Sequence, residues 1–248
     1  MREGGISVKH THFSEQLQRE HSENTEGKEK YWAEQLAELL EQEYKDRKGL
    51  GTGKSGEVWI GQAPFFERVS CVKTIHDPAA SVNSLKREYE LHQKFLDAGV
   101  RAPELIGYIE AKSPEGNIGI MAMEAIPGGQ TFEQWIKGLE ARGETIPKSL
   151  FDQIKADLKQ QINKAHDANL YHRDLNWRNV MIDENYQIYI IDFGDATQAL
   201  GGEEERDIYR TDIARDGQVN PIVFRNDEFV LNYISNEAHQ RGVLADAA

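Results

Sequence analysis

Tyr171-His172-Arg173-Asp174-Leu175-Asn176-Trp177-Arg178-Asn179-Val180-Met181-Ile182-Asp183-Glu184-Asn185-Tyr186-Gln187-Ile188-Tyr189-Ile190-Ile191-Asp192-Phe193-Gly194-Asp195 is the stretch that decides how the rest of the chain is read. Val180, Met181 and Ile182 form a short apolar run, and Ile188, Ile190 and Ile191 an alternating one, with polar Asp183 to Asn185 between them. Two such runs about a polar turn predict a β-hairpin. Its ends carry acids and amides: Asp174 and Asn179 precede the first strand, and Asp192 follows the second. Antiparallel strands bring Asn179 and Asp192 side by side. A carboxylate and an amide oxygen at one end of a rigid hairpin suit Mg²⁺, which takes hard oxygens and keeps several waters. Asp174, just upstream, would then face a substrate hydroxyl. A surface hairpin with polar ends explains Asp192 taken alone, but explains the whole set in register poorly.

Composition bounds the function. The chain of 248 residues is long enough for one sizeable domain or for two lobes sharing a cleft, and 39% of its residues are hydrophobic. No run reaches the ~18 apolar residues of a membrane span, and the polar N-terminus carries no signal-peptide core. The single cysteine, Cys71, rules out an intramolecular disulfide and fits a reducing compartment. A cytoplasmic location is expected, with export into another cell as an effector as the alternative. The net charge of −13 argues against a nucleic-acid partner, which asks for a basic face. It also means that a polyphosphate substrate needs a local positive site or a metal.

His172-Arg173-Asp174, four further residues, Asn179, and then Asp192-Phe193-Gly194 resemble the catalytic loop and metal-binding triplet of protein kinases. Asp-Phe-Gly alone is common by chance; both motifs at the family's spacing, joined by a hairpin, are specific. The resemblance implies an α+β, two-lobed protein kinase-like fold, with a β-rich N-lobe over residues 49–125 and a reduced, helical C-lobe over residues 126–248. It implies ATP and Mg²⁺ as cofactors, Asp174 as the base that orients an acceptor hydroxyl, and Asn179 and Asp192 as the Mg²⁺ ligands.

Upstream, residues 1–28 are polar without apolar periodicity and are expected to be a flexible arm. Residues 29–48 predict an amphipathic helix whose stripe includes Trp32, Leu36, Leu39 and Leu40. Two phosphate-loop readings compete over the next glycines. Gly53-Lys54-Ser55 mimics the end of a Walker A loop, but the glycine needed five positions earlier is Lys48, and Glu57 to Ile60 reads as a strand, not a helix. The other reading is a glycine-rich hairpin, Gly51-x-Gly53-x-x-Gly56-x-Val58, whose backbone N–H groups approach phosphates. By resemblance, Val58 lies on the adenine.

Residues 67–75 predict a strand with Lys73 at its middle, where the resemblance places the lysine that holds the α- and β-phosphates. Alternation also permits an outward-facing lysine. In the helix expected over residues 81–98, Glu88 shares a face with Leu85, His92, Phe95 and Leu96, whereas Glu90 lies with Lys86 and Lys94. Glu88 is therefore the better partner for Lys73, and Glu90 the alternative. Met121 to Gly129 resembles the hinge between kinase lobes: Met123 takes the gatekeeper position, and backbone groups of Glu124 and Ile126 bond adenine. Gln130 stands where many kinases place an acid against the ribose.

Helices with core-facing stripes are expected over residues 131–142 and 148–168. After Gly194 only 54 residues remain, without an Ala-Pro-Glu motif. Helices are expected over residues 203–215 and 226–240, and by resemblance Asp207 braces the catalytic loop, an exposed acid being the other reading. This short C-lobe is similar to compact atypical kinases, the RIO and Bud32-like groups and truncated bacterial effector kinases. The first functional expectation is a compact Ser/Thr protein kinase that acts on a protein hydroxyl, its own included. The second is a small-molecule or lipopolysaccharide-sugar kinase, because Asn176 stands where Ser/Thr kinases usually carry lysine. The third is a pseudokinase or interaction module.

Overall fold

The computed structural model describes residues 7–13, 48–53, 56–62, 69–77, 82–113, 116–199, 227 and 229–245. Its backbone divides into two units: residues 1–90 with 103–125, and residues 91–102 with 126–248. The architecture is α+β, with a β-rich first unit and a second unit of a few helices and short strands.

The first unit is built on six antiparallel strands. They are β1 (Ser7–Phe13), β2 (Lys48–Gly53), β3 (Gly56–Gln62), β4 (Val69–Asp77), β5 (Leu105–Ser113) and β6 (Gly116–Glu124), in the order β1-β5-β6-β4-β3-β2. β6 is interior to the sheet, and its successive Ile120, Met121 and Ala122 are all buried. Helix α1 (Val82–Asp97) contributes buried Leu85, Glu88 and Tyr89 to this unit. It approaches β6 closely because Gly119 has no side chain; a Cβ there would meet Leu85 Cδ2 at 3.1 Å.

In the second unit, the C-terminal half of α1 supplies Leu91 and Phe95 to the core. Gly99, at φ +76°, ends that helix, with N–H bonds from Gly99 and Val100 to the carbonyls of Leu96 and Phe95. A two-residue strand β7 (Gln130–Thr131) leads into α2 (Phe132–Arg142), whose start is a reciprocal Thr131–Gln134 capping box and whose end is left-handed Gly143. α3 (Lys148–Asp167) buries Phe151, Ile154, Leu158, Ile162 and Ala165 at helical spacing. β8 (Leu170–Tyr171), β9 (Val180–Ile182), β10 (Ile188–Ile190) and β11 (Thr197–Gln198) come next, and then α4 (Phe229–Gln240). β10-β9-β7 form one small sheet and β11-β8 another. Buried Val180, Ile182, Ile188 and Ile190 seat the β9–β10 hairpin on the core made by α2, α3 and α4. Each large apolar side chain so buried contributes about 1.5–3 kcal/mol. Beyond α4 the chain is stitched back by N–H bonds from Ile146 to Val243 and from Ala245 to Ile146.

One expectation is corrected. Ser7–Phe13 lies within the stretch expected to be a flexible arm, yet it pairs antiparallel with β5 from Ser7↔Lys112 to Phe13↔Gly107. The edge of β5 offers a row of backbone donors and acceptors, and a polar segment can satisfy them without an apolar signature of its own. The Trp32 helix stripe, the Lys54-Ser55 turn, the helix over residues 203–215 and Asp207 lie outside the described residues. The last helix begins at Phe229 rather than residue 226. No described helix is long and apolar enough to cross a membrane.

Candidate active site

The first unit arranges its candidates by strand register. Gly51 pairs with Val58, Val58 with Lys73, and Lys73 with Met121, so one row crosses β2, β3, β4 and β6. Gly53 pairs with Gly56 across the turn, and β3 continues from it as a strand. This is a hairpin and not the loop-to-helix geometry of a Walker A site. Lys73 is buried, and its Nζ donates to both oxygens of Glu88 at 2.7 and 2.8 Å. Glu90, the alternative partner, is exposed. Burial lifts the nearby Cys71 thiol to about 11, against a smaller opposing pull from the Lys73 charge, so it stays a thiol at neutral pH.

Met123 pairs with Cys71 and Leu105 at the end of β6. The Glu124 N–H donates to the Glu104 carbonyl at 2.8 Å. Beyond the division between the units, the Gly129 N–H donates to the Ile126 carbonyl at 2.9 Å. A side chain at Gly129 would meet that carbonyl at 2.9 Å, so the turn requires glycine. Gln130 opens β7 and is exposed.

In the second unit the loop from His172 to Asn179 is fixed at several atoms. Asp227 is buried, and its carboxylate accepts the backbone N–H of His172 at 2.9 Å and of Arg173 at 3.0 Å. It also meets His166 Nε2 at 3.2 Å. Burial alone would raise the Asp227 carboxyl; the His166 hydrogen bond, the His172 charge and its backbone N–H outweigh that and lower it. Arg173 adopts φ +69° and Asp192 φ +65°. Such left-handed conformations in non-glycine residues cost about 1–3 kcal/mol and persist where the surroundings over-determine them. The grip of Asp227 on Arg173 is one such constraint.

His172 donates from Nε2 to the Ile191 carbonyl at 2.9 Å, tying the loop to the far end of the hairpin. Its ring packs against fully buried Phe193 at 5.4 Å, and His92 and Phe95 reach the same ring at 4.5 and 4.6 Å. In the hairpin, Ile182↔Ile188 and Val180↔Ile190 are paired, and the Ile191 N–H donates to the Asn179 carbonyl at 3.0 Å. Asn179 therefore faces Ile191, one residue before Asp192.

Asn179 Nδ2 donates to the carbonyl and to Oδ2 of Asp174, both at 2.9 Å. Asn176 Nδ2 donates to the same carbonyl at 2.9 Å and to Asp174 Oδ1 at 3.3 Å, while its Oδ1 accepts the Arg178 N–H. Desolvation pushes the Asp174 carboxyl up; the His172 charge opposes this, Asp195 and Asp192 add to it, and the Asn179 hydrogen bond opposes it. A carboxylate held above its usual range, near the surface and oriented by two amides, has the character of a proton acceptor.

The donor set fits Mg²⁺. Both amide hydrogens of Asn179 turn toward Asp174, so its oxygen is left to the other side, and Asp192 is a carboxylate at the neighbouring hairpin end. Among the described residues no group of three or more His, Cys, Asp and Glu converges as a metal cage. Mg²⁺ at nucleotide sites needs none, since it binds through one or two protein oxygens, phosphates and water.

Two residues of this site escape a reading of the sequence motifs. Asp227 leaves only a weak signal, an acid just ahead of an apolar-periodic run, which reads as a helix start. Trp177, buried and two positions before Asn179 in the chain, reads as plain core.

The protein kinase domain family matches residues 44–215, well over half of the chain. A leaf rust resistance-locus receptor-like protein kinase of Arabidopsis thaliana is 25% identical over 59% of this chain and 22% of its own length. A CBL-interacting serine/threonine-protein kinase of the same plant is 31% identical over 63% of this chain and 34% of its own. The EKC/KEOPS complex subunit BUD32 of Yarrowia lipolytica is 26% identical over 70% of this chain and 77% of its own. The chain thus spans about a third or less of several of the curated relatives it matches. The motifs, their placement on the two units and the extent of the match lead to one conclusion: this chain belongs to the protein kinase domain family.

Proposed function

We propose that the chain is an ATP-dependent phosphotransferase, and specifically a compact Ser/Thr protein kinase that phosphorylates a protein hydroxyl. The observation that carries this is the Asp174 carboxylate, oriented by the amides of Asn176 and Asn179 on a loop clamped by Asp227. Lys73, its charge balanced and steered by Glu88, holds the α- and β-phosphates. The glycine hairpin at Gly51, Gly53 and Gly56 offers backbone N–H groups to them, with Val58 against the base. By the resemblance to the hinge of kinases, backbone groups of Glu124 and Ile126 would bond adenine, beside Met123. Asn179 and Asp192 hold Mg²⁺, which when bound offsets phosphate charge. As the acceptor oxygen bonds to the γ-phosphorus, its proton passes to Asp174. The bond from that phosphorus to the β-bridging oxygen breaks, and its electron pair leaves with ADP.

Asn176 favours a second reading, a small-molecule or sugar-lipid acceptor. Its side chain is spent on the loop itself and not offered to a peptide-bound acceptor. A pseudokinase is disfavoured by the presence of Asp174, Asn179 and Asp192 together.

The test is transfer from labelled Mg-ATP by the purified chain, alone and with generic protein substrates, beside Asp174→Ala and Asp192→Ala. Label on protein, lost in both variants, is expected. No label on protein, with ATP binding that still needs Asp192, would move the assignment to a small-molecule acceptor or a pseudokinase.

A further inference from the structure

Asp174 lies between two anchors. On its N-terminal side Asp227 holds the backbone of His172 and Arg173. On its C-terminal side the anchor is Trp177. This indole is buried and meets Tyr233 of α4 edge-on, ring centroids 5.5 Å apart at 89°. Arg241 Cζ stands over the indole ring at 5.5 Å and Lys137 Nζ at 5.8 Å. Neither cation is placed at random. Arg241 is held by Glu140 at 2.7 Å and Glu237 at 3.1 Å, and Lys137 by Glu133 at 2.8 Å. The Trp177 carbonyl accepts the Glu133 N–H at 3.1 Å, and the Glu133 carboxylate also takes Arg178 at 2.9 Å.

The helix supplies this anchor through a four-residue stripe. Phe229, Tyr233, Glu237 and Arg241 succeed one another at i, i+4 spacing, with Phe229 stacked on Tyr233 and Glu237 bonded to Arg241. One short helix thereby reaches both sides of Asp174, with Asp227 just before its first turn and Arg241 just after its last. Cations over an indole face are attracted by the ring quadrupole, an interaction that leucine cannot supply.

We propose that Trp177 is a positioning residue for phosphotransfer. In this role the cationic and aromatic cage of Lys137, Tyr233 and Arg241 fixes the stretch from Asp174 to Asn179 so that both side chains keep their working geometry. The kinetic part of this inference rests on the kinase reading above; the structural part does not. Displacing a reacting group by about 1 Å costs on the order of 100-fold in rate, so a loosened loop lowers kcat while leaving nucleotide capture by Lys73 intact.

The test compares Trp177→Leu and Arg241→Gln with the conservative Trp177→Phe and Arg241→Lys. Ile154→Val, a core truncation in α3 that leaves the cage side chains in place, controls for lost stability. Amide hydrogen exchange over residues 174–179 is measured in each folded variant, together with kcat and the KM for Mg-ATP. Exchange in that loop is expected to rise in Trp177→Leu and Arg241→Gln and to stay near wild type in the conservative pair and the control. In the same two variants kcat is expected to fall about tenfold or more, with the KM for ATP within about twofold. Unchanged loop exchange in Trp177→Leu and Arg241→Gln overturns the cage, whether or not the wild type transfers phosphate. Raised exchange with unchanged kcat in an active enzyme overturns the positioning role. An inactive wild type with the expected exchange pattern overturns the kinase reading and leaves the cage standing.

Discussion

Glu88 holds the Lys73 ammonium through both carboxylate oxygens, at 2.7 and 2.8 Å, and the two side chains keep only 3% and 8% of their surface in water. Removing one member of such a pair strands the other charge and costs about 3–5 kcal/mol, whereas replacing both by apolar groups of similar volume is neutral or stabilising by about 1–4 kcal/mol. A chain of this length shifts its Tm by about 2–4 °C per kcal/mol. Glu88→Leu is therefore expected to lower Tm by about 10 °C, and Lys73→Met combined with Glu88→Leu to recover most of that loss. Activity should not track stability. Both variants are expected to lose phosphotransfer, because neither presents a steered cation to the nucleotide. Thermal unfolding by circular dichroism, paired with the labelled-ATP assay, reads both quantities. A Glu88→Leu chain that melts with the wild type would contradict the buried pair. A double variant as unstable as the single one would place the loss in packing instead of in the stranded charge. A double variant that still transfers phosphate would remove Lys73 from the chemistry.

The same geometry sets other outcomes. Asp227→Asn keeps the shape but removes the charge that accepts two backbone N–H groups, and should cost about 3 kcal/mol at neutral pH by chemical denaturation. The folded-state carboxyl of Asp227 lies below its ordinary 3.8, so its contribution is present above that pH and disappears as pH falls through the lowered value. The gap between wild type and Asp227→Asn should accordingly close in acid, and a gap that is constant with pH would contradict the assignment. Gly129→Ala forces a Cβ against the Ile126 carbonyl and side chain at 2.8–2.9 Å, and should cost about 1–3 kcal/mol and weaken Mg-ADP binding in a calorimetric titration. Chelation of divalent metal should abolish phosphotransfer and leave the thermal transition nearly unmoved, since Mg²⁺ at a nucleotide site is bound through one or two protein oxygens, phosphates and water. A large fall in Tm on chelation would argue for a structural ion.

Much of the candidate site's local geometry was legible in the sequence because it is built from local patterns. The hairpin from Val180 to Ile190 announces itself by apolar runs about a polar turn, and its register carries Asn179 to the strand end beside Asp192. Glu88 separates from Glu90 by helical periodicity alone, because positions four apart on α1 share a face and one face must be buried. The glycine hairpin likewise separates from a Walker loop by its C-terminal neighbour, a β-patterned stretch that folds as β3.

The features left open by the sequence depend on partners far along the chain. Asp227 reaches His172 across 55 positions, and nothing local marks it as the acid whose desolvation is repaid by two backbone donors. Trp177 and Arg241 meet only after α4 has packed on the core, and a tryptophan or an arginine in isolation names no partner. β1 carries no apolar pattern because its place is set by hydrogen bonds offered at the β5 edge, a property of the neighbour and not of the segment itself. Periodicity and turn chemistry act over a few residues, so the sequence by itself determines the elements and the spacing of the motif residues on them. Burial, charge compensation and edge pairing are settled among elements once they have packed, and that is why only the tertiary structure decided which acid, which cation and which ring would hold Asp174 in place.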